Sequence, residues 1–384
     1  MKERRTPDLE LETLIPILIG FWRRLHKLSG PQDSLQTREF RSVVDAITAL
    51  QAQSYQGSSL LGQNYFQNKD LLGAYLLYPW LMHYQEGMSL LGELPEPPRR
   101  VLDVCAGGSP FGFAALRHGA EEVIATDKNK NVLEAGAEIC GRYGLTMTVR
   151  SWDCLKEALP IEGQFDLIIL AYGLNELFPP SNPHSKEHRK LFIGELLTRL
   201  TPDGHLLLVD DSHLESNRMI LQLREHFVQQ GVPVQAPCVW KGECPALKSE
   251  KNPCYAQRKL EKTYLIKEFQ RAAEINLSSI KMSYLLLKSP KAKWPELPKE
   301  ELFRVISPPV DSYTGKRYYL CGTVGKRNLG SHLQEQPKES KAFDYLKRGE
   351  LISVSNALEK PHVLDIIEGT EVKVVAACGK PLPK

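Results

Sequence analysis

Val101-Leu102-Asp103-Val104-Cys105-Ala106-Gly107-Gly108-Ser109-Pro110 decides the fold. Residues 101–105 read as a strand, apolar except for Asp103. The chain then enters a Gly-rich turn over 107–112, and 113–118 read as a short helix. Glycines between a strand and a helix let backbone N–H groups come close to a ligand. The spacing Gly-Gly-x-x-x-Gly differs from the G-x-G-x-x-G of dinucleotide sites. Pro110 suits the first turn of a helix.

Outward from that turn, strands alternate with helices. Strands are expected at 122–127, 146–150, 165–171 and 205–210, and helices at 129–143, 186–200 and 215–230, with Pro202-Asp203-Gly204 stopping the middle helix. Strands apolar on both faces that alternate with helices make a doubly wound, parallel α/β sheet. Residues 232–236 and 281–287 read as an antiparallel pair closing that sheet around a long Cys-, Pro- and Lys-rich insertion. Upstream, 9–28, 40–52, 70–78 and 80–91 carry apolar residues at helical spacing, and the Pro-rich 94–98 ends them. After Pro308 come short β runs at 317–320, 351–354 and 372–376. The expected division is a helical N-terminal domain (1–98), the α/β domain (99–290) with its Cys-rich insertion (237–280), and a small β-rich C-terminal domain (291–384).

The 384 residues allow two or three domains, and 25% charged with 42% hydrophobic residues is ordinary for a globular protein. Residues 1–7 are charged, with no apolar stretch behind them, and the apolar runs at 167–170 and 206–209 are far too short to span a membrane. The expected address is the cytoplasm, with no membrane partner and a free chain that is monomeric. A net charge of +3 does not by itself argue for nucleic acid.

Three carboxylates stand at the ends of successive strands. Asp103 precedes the turn and can receive an amino group, Asp127 can accept two ribose hydroxyls, and Asp153 can bond an adenine amine while Trp152 covers a ring. Singly, each is more often a helix cap. Together they mark the strand ends where open sheets bind ligands. The fourth strand leads into Tyr172-Gly173-Leu174-Asn175-Glu176-Leu177. Asn175 and Glu176 are candidate catalytic residues that would orient a substrate, and Tyr172 can stack on a base. The competing reading is an ordinary helix start.

Of eight cysteines, Cys105, Cys140, Cys154 and Cys378 read as small buried hydrophobes. Cys238, Cys244, Cys254 and Cys321 are spaced C-x5-C-x9-C-x66-C among Pro and Gly. Four such thiols are either unrelated or converge on a [4Fe–4S] cluster or an all-thiolate zinc ion. The absence of a short C-x2-4-C knuckle tilts the choice mildly toward iron–sulfur. Between Lys241 and Arg304 there are fourteen Lys or Arg against eight acids, with Trp240, Tyr255, Tyr264 and Trp294 interleaved. That is either a solvated lysine face or an RNA surface, where cations neutralise phosphates and aromatics stack on bases.

The order of glycine turn and acids resembles class I S-adenosylmethionine methyltransferases. The resemblance implies that Gly107, Gly108 and Asp103 lie beside methionine, that Asp127 holds ribose and Asp153 adenine, and that Tyr172 and its loop face the methyl group. The loop lacks the Asp/Asn-Pro-Pro-Tyr pattern used on exocyclic amines of bases. Over residues 70–350 the chain resembles the methyltransferase-like assembly factors of the mitochondrial small ribosomal subunit and their bacterial relatives. Ala236-Pro237-Cys238, Cys244-Pro245, Cys254-Tyr255-Ala256-Gln257-Arg258, Leu174-Asn175-Glu176-Leu177 and Arg304-Val305-Ile306-Ser307-Pro308-Pro309 carry it. It implies S-adenosylmethionine as cofactor, a [4Fe–4S] cluster on Cys238, Cys244, Cys254 and Cys321, and small-subunit ribosomal RNA as partner. Three readings follow: an RNA methyltransferase, a non-catalytic assembly factor, or a small-molecule methyltransferase. A radical mechanism fits poorly, because C-x3-C-x2-C is absent.

Overall fold

A computed structural model describes residues 7–55, 65–251, 253–313 and 315–383. The expectations for residues 1–6 and 56–64 of the N-terminal domain lie outside these. The chain forms two compact units, each made of separate stretches: residues 1–88, 97–188 and 259–280 in the first, and 89–96, 189–258 and 281–384 in the second.

The first unit holds helices α1 (Pro7–His26), α2 (Thr37–Tyr55), α3 (Lys69–Leu77) and most of α4 (Pro79–Leu91). Its strands are β1 (Arg100–Val104), β2 (Glu122–Asp127), β3 (Thr148–Ser151) and β4 (Phe165–Ala171), with α5 (Pro110–His118), α6 (Lys130–Arg142) and α7 (Leu174–Leu177) among them. The strand order is β3-β2-β1-β4, all parallel. Asp103 of β1 therefore pairs in register with Ala125 on one side and Ile169 on the other. Val101, Leu102, Val104 and Leu167–Leu170 are buried, as strands covered on both faces require. Helix α5 starts three residues before the expected Phe113, because Pro110 supplies a preset φ at its first position.

The distal part of the Cys-rich insertion returns to this unit as α10 (Tyr264–Ala272), capped by the Thr263 hydroxyl, which accepts from the Ile266 amide. Its Phe269 stacks on Phe40 at 5.3 Å and meets Tyr78 edge-on. Gln85 of α4 exchanges two hydrogen bonds with the Glu261 backbone.

The second unit contains α8 (Ser185–Thr198) for the most part, β5 (Leu200–Asp211), α9 (Leu214–Gln229), β6 (Val234–Ala236), β7 (Ala256–Lys259) and β8 (Ser279–Lys288). Strand β8 runs antiparallel to both β5 and β6, in the order β5-β8-β6. The expected closing pair is thus present. Strand β5 begins five residues before the expected His205, with Pro202 and Asp203 on its exposed first stretch, where a missing N–H is tolerated. The orders 3-2-1-4 and 5-8-6, with β8 reversed, are those of the class I methyltransferase fold.

Eight further strands form a second sheet in the same unit: β9 (Leu302–Val305), β10 (Val310–Ser312), β11 (Gly315–Gly322), β12 (Gly325–Ser331), β13 (Leu351–Ser355), β14 (Leu358–Lys360), β15 (Val363–Ile366) and β16 (Glu371–Ala376). Their order is β14-β15-β12-β11-β9-β13-β16, with β10 on β11. Phe303, Val305, Tyr318, Leu320, Leu329, Phe343 and Ile352 make its core. Among the described residues no helix is long and apolar enough to cross a membrane.

Candidate functional site

Asp103 is 2% exposed. Its Oδ2 accepts from the Ser109 hydroxyl at 2.6 Å and from the Gly112 amide at 3.0 Å, so the carboxylate ties the strand to the turn it feeds. Burial pushes the carboxyl up to about 7, against those two donors. Asp127 closes the other side: Oδ2 accepts from the Gly107 amide at 3.0 Å and Oδ1 from the Asn129 amide at 2.9 Å. Gly107 has φ +53°, a left-handed conformation that glycine adopts without strain. A Cβ on Gly112 would lie 2.2 Å from Ser109 Oγ and 3.1 Å from Asp103, so the turn closes this tightly only on glycine. Trp80 donates from Nε1 to the Gly108 carbonyl at 2.9 Å, and α4 thereby braces the turn.

These groups surround one cavity of about 300 Å³. Asp103, Gly107, Asp127, Trp152, Asp153, Tyr172 and Glu176 all line it, whereas Gly108 and Asn175 do not. The Asp153 carboxyl is held below its usual range by the Lys156 ammonium 3.0 Å away. Trp152 is buried and donates to the Glu157 carbonyl. Glu176 is solvent-exposed at the cavity, which screens the upward push of its surroundings on the carboxyl.

Two groups that sequence reasoning passed over stand beside Tyr172. Its hydroxyl donates to Glu86 at 2.7 Å, and its ring stacks on His83 at 4.4 Å. Glu86 is buried, and desolvation pushes its carboxyl up to about 8. The signal in the sequence was a lone acid inside the apolar helical run of Trp80–Leu91. The reading of Cys105 and Cys154 as buried hydrophobes is corrected: both are half-buried, both line the cavity, and their Sγ atoms are 3.8 Å apart. Strand ends converge on the ligand side of an open sheet, so successive loops bring distant cysteines together. Cys140 is buried as expected, and Cys378 is half-buried.

A second cavity, of about 510 Å³, lies within the second unit. Cys238, Cys244, Cys254 and Cys321 all line it, together with Arg224, Lys326 and Arg348. Among the described residues, no three Cys, His, Asp or Glu side chains are placed as a ready metal-holding group. The four thiols share a cavity without already being drawn onto one point. Burial, with repulsion from neighbouring cysteines, raises the Cys244 and Cys254 thiols and pushes Cys321 up to about 12. Arg224 donates to the Gly242 and Trp240 carbonyls and so fixes the loop between Cys238 and Cys244. Nε of Arg224 and Nε of Arg348 are buried with no hydrogen-bond partner among the described residues.

Two members of the basic stretch are structural. Arg258 is buried against Glu93, with Nη2 at 2.7 Å, and Arg304 donates to the Pro237 and Gly349 carbonyls. Other cations lie over aromatic rings: Lys241 over Trp294, Lys281 over Tyr255, Lys326 over Tyr319 and Arg348 over Tyr255.

The model of the family described as mitochondrial small ribosomal subunit Rsm22 matches residues 92–329, well over half of the chain. The chain belongs to the Rsm22 family. The match covers the lining residues of both cavities apart from Phe66, Tyr75 and His83 upstream and Arg348 downstream. This Rsm22-family chain is also similar to two proteins named ribosomal protein L11 methyltransferase. The one from Symbiobacterium thermophilum is 32% identical over 123 residues, covering 31% of this chain and 34% of that protein. The one from Geobacter sulfurreducens is 29% identical over 146 residues, covering 38% and 39%. The chain thus spans little more than a third of the length of these curated relatives. The solved N-methyltransferase NodS from Bradyrhizobium japonicum, in complex with S-adenosyl-L-homocysteine, aligns over 56% of this chain and 89% of its own, at 12% identity and a TM-score of 0.36. By its strand order, its family and its likeness to the L11 methyltransferases, the chain is a methyltransferase-like member of the class I superfamily.

Proposed function

We propose that this Rsm22-family protein binds S-adenosylmethionine in the first cavity and acts on small-subunit ribosomal RNA. The observation that carries this reading is the convergence of Asp103, Gly107, Asp127 and Asp153 on one cavity at the ends of parallel strands. Asp127 and the Gly107 turn would take the ribose and methionine ends, Trp152 and Asp153 the adenine, and Glu176 would face the acceptor.

The second cavity fits a [4Fe–4S] cluster. Burial, with repulsion from neighbouring cysteines, raises the thiols of Cys244, Cys254 and Cys321, and a bound cation would replace that repulsion with attraction. The two unpartnered arginine Nε–H groups suit the net negative charge of a thiolate-ligated cluster and its sulfurs. Cys238, Cys244, Cys254 and Cys321 would hold it, and it would tie the insertion to β11. Lys326, Tyr319, Tyr255 and Arg348 on the same cavity supply the cations and ring faces that RNA takes.

The test uses full-length protein, immature small subunits and methyl-labelled S-adenosylmethionine. Label in the RNA, lost in Asp103→Ala and Asp127→Ala, supports an enzyme. Salt-dependent RNA binding with no transfer supports the second reading, a non-catalytic assembly factor. The loop Tyr172-Gly173-Leu174-Asn175 lacks the pattern used on exocyclic base amines, which argues against that acceptor. No RNA affinity at all would leave a small-molecule methyltransferase.

A further inference from the structure

Cys105 and Cys154 approach to 3.8 Å between Sγ atoms across two loops of the first cavity. Cys105 directly follows β1 with a left-handed φ of +55°, a costly conformation for a residue with a Cβ. Cys154 directly follows Asp153. A disulfide brings two sulfurs to about 2.05 Å, so side-chain rotation and a small loop shift would join them. Gly173 makes the room for Cys105: a Cβ there would lie 3.0 Å from the Cys105 Cβ and 3.6 Å from its Sγ.

We propose that Cys105 and Cys154 are a reversible disulfide site that reacts with low-molecular-weight disulfides such as oxidised glutathione, and that the bond weakens nucleoside binding in this cavity. The second half of the proposal rests on the S-adenosylmethionine reading of the cavity. The Cys154 thiolate attacks one sulfur of the small disulfide, forming a mixed disulfide and releasing one small thiolate. The Cys105 thiolate then attacks Cys154 Sγ, and the second small thiolate leaves. Two electrons pass from the protein sulfurs to the small disulfide. The two protons lost by the protein thiols end on the two small thiols. Cys105 attacks second, because its hydrogen bond to Cys154 and its burial hold its thiol well above the ordinary range. Capping Cys154 removes the first of those causes. Drawing the sulfurs together pulls the Gly107 turn toward the Asp153 loop, and a cavity of about 300 Å³ is already at the small end for a nucleoside ligand.

The experiment treats full-length, anaerobically purified protein with oxidised glutathione, alkylates it and maps the peptides. S-adenosylhomocysteine binding is titrated before oxidation, after it, and after dithiothreitol. The expected result is a mapped 105–154 link with affinity at least about tenfold weaker, restored by reduction. In Cys154→Ser the affinity should be the same reduced and oxidised, and Cys105→Ser should stop at the glutathione adduct of Cys154 with no second thiol released. Absence of the link, or an equal oxidative loss in both variants and wild type, would overturn the proposal. Reduced wild type that binds no S-adenosylhomocysteine would overturn the cofactor reading alone, and the mapped link would still decide the disulfide.

Discussion

The Tyr172 hydroxyl donates a 2.7 Å hydrogen bond to Glu86, which ties the loop after β4 to helix α4. Tyr172 holds φ +59°, so the loop bears a backbone cost that this contact helps to sustain.

Glu86 sets a pH signature. Its carboxyl rises from an ordinary 4.5 to about 8 in the folded state. The folded state therefore binds the proton more tightly than the unfolded one. Stability falls as pH rises from about 4.5 to about 8 and is level above that. Gln has the same shape, stays neutral and still accepts from Tyr172. Glu86→Gln should raise the melting temperature at pH 9 by about 3 °C or more and change it little at pH 4.5. Equal effects at both pH values in a thermal scan would show that Glu86 is not held neutral.

Two glycines of α6 should respond with opposite signs. A Cβ on Gly136 would sit 2.5 Å from the Gly108 carbonyl oxygen, whereas one on Gly141 meets nothing within 4 Å. Gly141→Ala should stabilise by about 0.5 kcal/mol through helix propensity. Gly136→Ala should destabilise by roughly 2 kcal/mol, because rigid backbone must yield. Urea unfolding of both variants checks this, and stabilisation by Gly136→Ala would contradict the close approach of α6 to the turn.

The Arg258–Glu93 pair is buried, at 7% and 2% side-chain exposure, and Tyr284 donates to the second Glu93 oxygen at 2.8 Å. Arg258→Ala should cost about 3–5 kcal/mol by stranding a carboxylate. Arg258→Ala with Glu93→Leu should recover much of that loss in a double-mutant cycle. RNA affinity of the folded double variant should equal that of wild type.

Lys326 lies over Tyr319 at 5.1 Å, on the cavity shared with the four cysteines. Lys326→Ala should weaken binding to small-subunit RNA about threefold or more and lower the slope of log affinity against log salt by about 0.9. Filter binding at several salt concentrations reads both. An unchanged slope would remove Lys326 from the RNA surface.

The strands were legible because burial on both faces leaves uninterrupted apolar runs. The expected limits of β2 and β4 coincide with those observed, and Asp103, Asp127 and Asp153 do share a cavity. What sequence could not carry was contact between segments far apart in the chain. Glu86 reaches Tyr172 across 86 residues and Cys105 reaches Cys154 across 49. Arg258 reads as one more cation in a basic run until its distant partner Glu93 is seen. Strands β12 and β14 were missed because segments as polar as Gly325–Ser331 and Leu358–Lys360 carry little apolar alternation.

The most direct measurement is isothermal titration of the full-length reduced protein with S-adenosylhomocysteine. One site is expected, with Kd on the order of 10 μM. Asp127→Ala, which removes a carboxylate lining the cavity and accepting from the Gly107 amide, should weaken it at least about tenfold. No saturable binding to folded wild type at about 1 mM ligand, equivalent to less than roughly 4 kcal/mol of binding free energy, would contradict the assignment of the cavity.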